Sequence, residues 1–194
     1  MTKDAALSRP CLFFDRDGVI NVPPPLETPY LRCWSDFQFV SGMEDVLTRV
    51  GGLGFIKVLI TNQQGVAKGV MTEAELTELH AAMQEHLEKH QAGFDAIQAA
   101  TGLTARDHRR KPHPTMLLEA AETLNIDLSR SWMIGDHDND MRAAKAAGVG
   151  TIRFVGLKAI DESSDYIVRN AEELLQVIVN LPLNAKQETP CSWD

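Results

Sequence analysis

The stretch FFDRDGVIN, residues 13–21, places two carboxylates and a glycine directly behind an apolar run. Asp15 and Asp17 stand where a buried strand is predicted to end, although burying charge is unfavourable. In an open α/β sheet, ligands bind just outside the carboxyl ends of the strands. A functional site at this end of the strand would explain why the chain places charge there.

Short apolar runs alternate with longer helical patterns along the chain. Predicted strands cover residues 11–15, 55–61, 94–100, 132–135 and 151–155, with a short sixth at 165–170. Predicted helices cover residues 43–50, 73–90, 115–124, 140–147 and 171–181. Such alternation is typical of βαβ units. It predicts an α/β fold: a three-layer, Rossmann-like, doubly wound and mostly parallel sheet.

Helix-end signals support this assignment. Thr72 and Glu75 form a capping box before the second predicted helix. Asn170 stands at the N-cap position of the last helix, and Gly148 follows the fourth, where a glycine commonly ends a helix.

Length and charge limit the possible functions. The chain has 194 residues, of which 44% are hydrophobic, and a net charge of −8. We expect one domain over residues 1–182 and a C-terminal tail over residues 183–194. No overall positive field would attract nucleic acid or an anionic membrane, so we expect neither as a partner.

The cysteines and the N-terminal segment indicate the compartment. Cys11, Cys33 and Cys191 are odd in number and form no CxxC pair, which disfavours a disulfide framework or a zinc ribbon. The first ten residues lack a signal-peptide pattern, and no apolar run approaches the ~18–20 residues that span a bilayer. We therefore expect a cytoplasmic protein.

Three further polar clusters follow predicted strands. TNQQG, residues 61–65, comes after the second strand, and GDHDND, residues 135–140, comes after the fourth. Lys111 precedes a helix in the connection after the third strand. Because the carboxyl ends of parallel strands share one edge of the sheet, we expect all these clusters to meet Asp15 there.

A cation is expected among the carboxylates of this edge. They belong to Asp15, Asp17, Asp136 and Asp140. Four negative charges repel one another unless they are protonated or neutralised. Ligands that are all oxygen select hard ions, above all Mg²⁺, which commonly also binds a substrate phosphate.

The remaining polar groups suit a phosphoryl group. The Thr61 hydroxyl, the Lys111 ammonium and backbone N–H groups of the turn that starts at Arg16 could all bind phosphate oxygens. One carboxylate could act as a nucleophile and a second, two residues on, as general acid and base. Each cluster alone also has an ordinary structural interpretation, as a solvated turn, a helix cap or a surface lysine. Their joint order along the chain favours one shared site.

The pattern resembles the haloacid dehalogenase superfamily of phosphohydrolases. DRDGVIN is similar to its first motif, Thr61 to its second, Lys111 to its third and GDHDND to its fourth, over about residues 11–155. The resemblance implies that Asp15 is the nucleophile and Asp17 the general acid and base. It also implies that Thr61 and Lys111 bind the phosphoryl group.

The same resemblance implies a magnesium site. The metal would be held by Asp15, Asp136 and the backbone carbonyl of Asp17, with Asp140 in support.

A finer match is to one subgroup. DRDGVIN, TNQQGVAKG (residues 61–69) and RKPHPTML (residues 110–117) are similar to the D-glycero-D-manno-heptose 1,7-bisphosphate phosphatases and histidinol-phosphatases. The match implies that Arg110 contacts substrate and that Asn62 belongs to the site. It also implies the absence of a large cap domain, so that the loop at residues 22–34 would wall the substrate.

One departure from the subgroup concerns zinc. Many members hold a structural zinc in a CxH…CxC loop before the RKP motif, but residues 99–114 of this chain contain no cysteine. We therefore expect no structural zinc. His137 and Thr115 also stand where lysine and glycine are frequent in the subgroup. The loop without the zinc ligands is the one that would face the substrate.

The resemblance implies a Mg²⁺-dependent phosphomonoesterase that acts through an aspartyl-phosphate. Heptose 1,7-bisphosphate is the first substrate hypothesis, and histidinol phosphate or another small phosphorylated metabolite is the second. A nucleic-acid 3′-phosphatase is disfavoured by the charge of −8. A non-catalytic phospho-switch would need no second carboxylate such as Asp17. We expect a monomer.

Overall fold

The computed structural model describes residues 8–25, 27, 29–104, 107–156 and 163–182. Within them lies a six-stranded sheet in which every neighbouring pair is parallel. The strands are β1 (Cys11–Phe14), β2 (Ile56–Asn62), β3 (Ala96–Ala100), β4 (Trp132–Gly135), β5 (Gly150–Phe154) and β6 (Tyr166–Val168). The helices are α1 (Met43–Gly52), α2 (Glu73–Glu88), α3 (Thr115–Leu124), α4 (Asp138–Ala146) and α5 (Ala171–Val179).

The strand order places a switch point next to the predicted site. The sheet runs β3-β2-β1-β4-β5-β6, so the chain winds outward from β1, returns to its other side and winds outward again. A crevice forms outside the strand ends where the direction of winding reverses, here between β1 and β4. The predicted doubly wound α/β fold is confirmed.

Two apolar layers cover the sheet. One contains Met43 of α1, Met83 of α2 and Leu174 of α5, and the other contains Met116 of α3 and Ala143 of α4. Alternate residues of β1 enter opposite layers, and all four are fully buried. Burial on both faces explains why β1 reads as a continuous apolar run.

Most predicted element boundaries hold to within two residues, and the start of α4 has a physical explanation. The helix was expected to begin at Asp140 but begins at Asp138. His137 is the N-cap: its Nδ1 accepts the N–H of Asn139 at 3.2 Å, and Asp140 Oδ2 accepts the N–H of His137 at 3.0 Å. Histidine is not among the favoured N-cap residues, so no sequence pattern marked this helix start.

The predicted caps at the other helices are present. Thr72 and Glu75 form the expected capping box, and the Asn170 side chain accepts the N–H of Glu173. Among the described residues, no helix is long and apolar enough to cross a membrane. The predicted tail, with Cys191, lies outside the described residues, so the division at residue 182 stays a prediction.

Candidate active site

Asp15 is held at the switch point by the sheet itself. It follows the last residue of β1, and its N–H donates to the carbonyl of Ile134 in β4 at 2.9 Å. The side chain is only 12% exposed. Its carboxylate therefore lies at the floor of the crevice between β1 and β4.

Lys111 joins the carboxylates of two motifs. Its Nζ donates to Asp15 Oδ1 at 2.7 Å, to Asp140 Oδ1 at 2.6 Å and to the carbonyl of Ile60 at 2.7 Å. All three ammonium hydrogens thus have acceptors in a group that is 2% exposed. Burial acts to lower the pKa of Lys111, but Asp140 and Asp15 together raise it above its usual value. The lysine is charged in the folded protein.

Burial dominates the titration of Asp15. It raises the pKa of the carboxyl to about 7, although the Lys111 ammonium lowers it; Asp140 and Asp17 raise it further. A nucleophile must be ionised to attack. A cation beside this carboxylate would favour the ionised form.

Asp17 lies in a cage of donors. Asn21 Nδ2 donates to its Oδ1 at 3.0 Å, Gln63 Nε2 donates to its Oδ2 at 2.9 Å, and the Arg16 guanidinium contacts both oxygens. Burial acts to raise the pKa of Asp17, but Arg16, Gln63 and Asn21 bring the net pKa below its usual value. The carboxylate is ionised at neutral pH, and its side chain remains 32% exposed.

The Arg16 side chain is buried behind Asp17 and is not among the residues that line the pocket. It is 1% exposed, and its Nη1 lies 3.1 Å from His80 Nε2 in α2. Because arginine only donates, Nε2 is the acceptor. Burial and the neighbouring Arg16 lower the pKa of His80 to about 3, so the ring is neutral. The predicted binding of phosphate by the backbone of the turn that starts at Arg16 stays a prediction.

The second motif is tied to the third. The Asn62 amide exchanges two hydrogen bonds with the backbone of Lys111, donating to its carbonyl at 3.1 Å and accepting its N–H at 3.0 Å. This exchange fixes the connection that carries Lys111. Thr61, 1% exposed, also lines the pocket. The amide of Asn62 therefore acts on the protein backbone.

The fourth motif presses against the first. Gly18 has a φ of +93°, and a Cβ placed there would lie 2.4 Å from Asp136 Oδ2. Glycine is required both by this backbone conformation and by the approach of the carboxylate. The DRDG turn therefore admits Asp136 to the pocket only because residue 18 has no side chain.

The carboxylate of Asp107 bridges two backbone N–H groups of the connection that precedes Lys111. Asp107 Oδ2 accepts the N–H of Gly102, and its Oδ1 accepts the N–H of Arg109, each at 3.0 Å. Arg110 Nη1 donates to the carbonyl of Gly102 at 3.3 Å. These bonds keep Arg110 beside the pocket. Arg109 instead pairs with Gln98 and Glu119.

The resulting pocket is small, open and polar, with a volume of about 220 Å³. Its lining residues are Asp15, Asp17, Thr61, Asn62, Arg110, Lys111, Asp136, His137, Asn139 and Asp140. Eight of the nine residues that the sequence predicted thus meet in one place. The predicted wall at residues 22–34 is not among them, since Val22–Pro25 and Tyr30–Arg32 line a separate cleft of about 490 Å³.

Comparisons with known proteins agree with this geometry. The sequence model of the HAD-hydrolase-like family matches residues 108–155. A D-glycero-beta-D-manno-heptose-1,7-bisphosphate 7-phosphatase of Vibrio cholerae is 35% identical over 182 residues, which cover 90% of this chain and 92% of that protein. The protein of the same name from Escherichia coli K12 is 36% identical over 186 residues, which cover 89% of this chain and 95% of that one. The chain belongs to the haloacid dehalogenase-like phosphatases.

The fold comparison points the same way. The crystal structure of a D,D-heptose 1,7-bisphosphate phosphatase from B. bronchiseptica, complexed with magnesium and phosphate, superposes with a TM-score of 0.77. It is 23% identical, and the match covers 88% of this chain and 98% of that one. This likeness supports the fold, and the curated relatives identify this haloacid dehalogenase-like protein as a phosphomonoesterase.

The donor set of this phosphatase fits the magnesium that its family uses. Carboxylate oxygens of Asp15, Asp136 and Asp140 lie within 4.8 Å of one another, and such hard ligands suit Mg²⁺. Both oxygens of Asp140 already have partners, namely Lys111 and the N–H of His137. Asp140 therefore also anchors Lys111 and the start of α4.

Sequence reasoning missed three side chains near Asp17. Gln63 is adjacent to a residue that was predicted, Asn21 is the last letter of the opening motif, and His80 lies on a distant helix. Asn21 lies inside FFDRDGVIN and Gln63 inside TNQQG, so their position in these motifs was the available signal. Nothing in the sequence links His80 to Arg16.

Replacing Lys111 tests the central ion pair. In Lys111→Met, Asp15 and Asp140 would face each other without a cation, which we expect to cost about 3–5 kcal/mol of unfolding free energy at neutral pH. The pKa of these carboxyls would rise, so the folded state would bind protons more readily than the unfolded state. The deficit relative to the wild type should therefore shrink as the pH falls from 8 to 5.

Urea unfolding of the metal-free protein at both pH values would measure this difference. Lys89→Met is a matched control, because Lys89 is 64% exposed and pairs with Glu85 on the helix surface. A deficit in Lys111→Met that is small, or equal at both pH values, would contradict the interpretation.

Proposed function

We propose that this phosphatase removes a phosphate from D-glycero-D-manno-heptose 1,7-bisphosphate through an aspartyl-phosphate. The observation that carries the mechanism is the position of Asp15, whose carboxylate contacts a buried ammonium at 2.7 Å on the floor of a small polar pocket. The sugar is proposed from the names of the relatives, of which the two described above are 7-phosphatases.

The first half of the reaction transfers the phosphoryl group. An oxygen of Asp15 attacks phosphorus, the bond from phosphorus to the sugar oxygen breaks, and Asp17 in its acid form gives its proton to that oxygen. Asp17 is ionised in the free protein, so this proton has to arrive with the substrate. A phosphate ester has a second pKa of about 6 and can bring one proton as its monoanion.

The second half releases phosphate. Asp17, now a carboxylate, takes a proton from water, and the water oxygen attacks the phosphorus of the aspartyl-phosphate. The bond between phosphorus and the Asp15 oxygen breaks and inorganic phosphate leaves. The Lys111 ammonium and the Thr61 hydroxyl would stabilise charge on the phosphoryl oxygens.

Mg²⁺ bound by Asp15, Asp136 and the backbone carbonyl of Asp17 would neutralise charge on the phosphoryl group. We propose no structural zinc, because the connection before Arg110 has no cysteine and is closed by the carboxylate of Asp107. We further propose that the protein works as a cytoplasmic monomer. Metal analysis of the purified protein and its sedimentation mass would test these statements, and stoichiometric zinc or a dimer would contradict them.

Arg110 is proposed to bind the second phosphate of the substrate. It lines the pocket, and its guanidinium contacts a carbonyl at 3.3 Å, so donor groups remain for a ligand. A guanidinium matches two phosphate oxygens at once, which a lysine does not. A bisphosphate would thus be distinguished from a monophosphate at the rim and not at the reacting phosphate.

The two aspartates are tested by substitution to asparagine. Asp15→Asn should abolish turnover, because the amide cannot form the acyl phosphate. Asp17→Asn should slow turnover of a sugar phosphate by roughly 10²–10⁴-fold, the usual contribution of a general acid–base group. Both variants should keep the circular-dichroism spectrum of the wild type. Retained turnover in Asp15→Asn would eliminate the covalent pathway.

The substrate is tested by phosphate release with Mg²⁺, and with EDTA as a control. The panel contains both anomers of heptose 1,7-bisphosphate, heptose 7-phosphate, histidinol phosphate, fructose 1,6-bisphosphate and a 3′-phosphorylated oligonucleotide. We expect a preference of several hundredfold in kcat/KM for a heptose bisphosphate. Uniformly weak release from all compounds would contradict the proposed sugar but leave the phosphatase chemistry in place.

Arg110→Gln should reduce that preference. We expect kcat/KM for the bisphosphate to fall roughly 10–100-fold, as for the loss of a charged hydrogen-bonded contact of 1.5–3 kcal/mol, with little change for heptose 7-phosphate. Arg109→Gln is the matched control, since Arg109 pairs with Glu119 and does not line the pocket. An equal loss for both substrates would show that Arg110 does not read the second phosphate.

A further inference from the structure

Gln63 is built into the site at a position that its backbone fixes. It follows the last residue of β2, and its N–H donates to the carbonyl of Ala100 in β3 at 2.7 Å. The side chain is buried, with 4% of the residue exposed, and lies between Asp17 and Thr61. The sheet therefore determines the direction in which this side chain projects.

The amide of Gln63 serves two site residues at once. Its Nε2 donates to Asp17 Oδ2 at 2.9 Å and to Thr61 Oγ1 at 2.8 Å. An ionised carboxylate accepts and never donates, so the NH₂ group, and not the amide oxygen, must face Asp17. Both of its hydrogens are then committed to groups of the site.

Each contact has a consequence for its acceptor. On Asp17, Gln63 holds one carboxylate oxygen while Asn21 holds the other at 3.0 Å, so rotation of the carboxyl group is restrained from both sides. On Thr61, the hydroxyl oxygen accepts from Gln63, and its own hydrogen is left for another acceptor. Thr61 lines the pocket, so a phosphoryl oxygen there would be such an acceptor.

We propose that Gln63 is a positioning residue, which orients the carboxylate of Asp17 for proton transfer and directs the hydroxyl hydrogen of Thr61 toward the phosphoryl group. The role rests on the proposed function of Asp17 as general acid and base. Gln63 is not itself among the residues that line the pocket, and its side chain acts on two that are, Asp17 and Thr61.

The first test compares two leaving groups. Gln63→Met keeps the length of the side chain and removes both donors. A sugar phosphate leaves as an alkoxide that needs a proton, whereas p-nitrophenol leaves without one. With saturating Mg²⁺, we expect kcat/KM for heptose 1,7-bisphosphate to fall roughly 30-fold or more, within the range of general acid catalysis. Single-turnover release of p-nitrophenol from p-nitrophenyl phosphate should fall less than about fivefold, because only the lost contact with Thr61 would affect it.

The ratio of these two effects separates positioning from general damage. A partly unfolded preparation loses both activities by the same factor, so its ratio stays at the wild-type value. Gln64→Met is the matched control, because Gln64 is the next residue and does not line the pocket. It should change both rates by less than about twofold. Equal losses for the two substrates in Gln63→Met would overturn the proposal.

A double-mutant cycle with Asp17→Asn supplies the second test. If Gln63 acts through Asp17, Gln63→Met should cost less than about fivefold on the sugar phosphate once Asp17 is asparagine. The full 30-fold cost in that background would overturn the inference. Undiminished turnover in Asp17→Asn alone would instead overturn the proposed role of Asp17, so the two failures are distinguishable.

Discussion

The ammonium of Lys111 is the contact on which the site depends. It lies between Asp15 from the end of β1 and Asp140 from α4, and also contacts the end of β2. Without it, two nearly buried carboxylates would face each other in a crevice of low dielectric, where uncompensated charge costs several kcal/mol. One cation thereby joins the first and fourth motifs to the strand that carries Thr61, and it allows the Asp15 carboxylate to lie in a largely buried position.

Asp15 and Asp17 lie in different electrostatic environments. Around Asp15, burial raises the pKa of the carboxyl to about 7, which makes its charge responsive to a bound cation. Around Asp17, despite burial, a permanent guanidinium and two amides keep the pKa low. Two carboxylates that are two residues apart thus differ in protonation because their neighbours differ. This difference suits a nucleophile that works with a metal and an acid–base group that works with the substrate.

The fold and the first layer of the site were predictable because each left a periodic or ordered signal. Alternating apolar runs and helical patterns specified the parallel sheet, and four polar clusters after strands specified its edge. The side chains that support the pocket-lining residues left no such signal. Arg16 and His80 meet only because α2 packs over the turn after β1. His137 caps α4 although histidine is seldom an N-cap residue. The contact between Arg16 and His80 depends on tertiary packing, which single-sequence patterns do not encode. The cap by His137 is local, but its residue type does not signal the start of a helix.

Specificity in this chain must come from a small number of anchored side chains, because the pocket is open and only about 220 Å³ in volume. The connection that presents Arg110 is short and is closed by Asp107 on two backbone N–H groups. A Cβ on Gly102 would lie 2.2 Å from the Asp107 carboxylate, so the closure needs a glycine at that place. A carboxylate and a glycine therefore hold Arg110 at the edge of the pocket, and the reach of Arg110 is set by this local geometry.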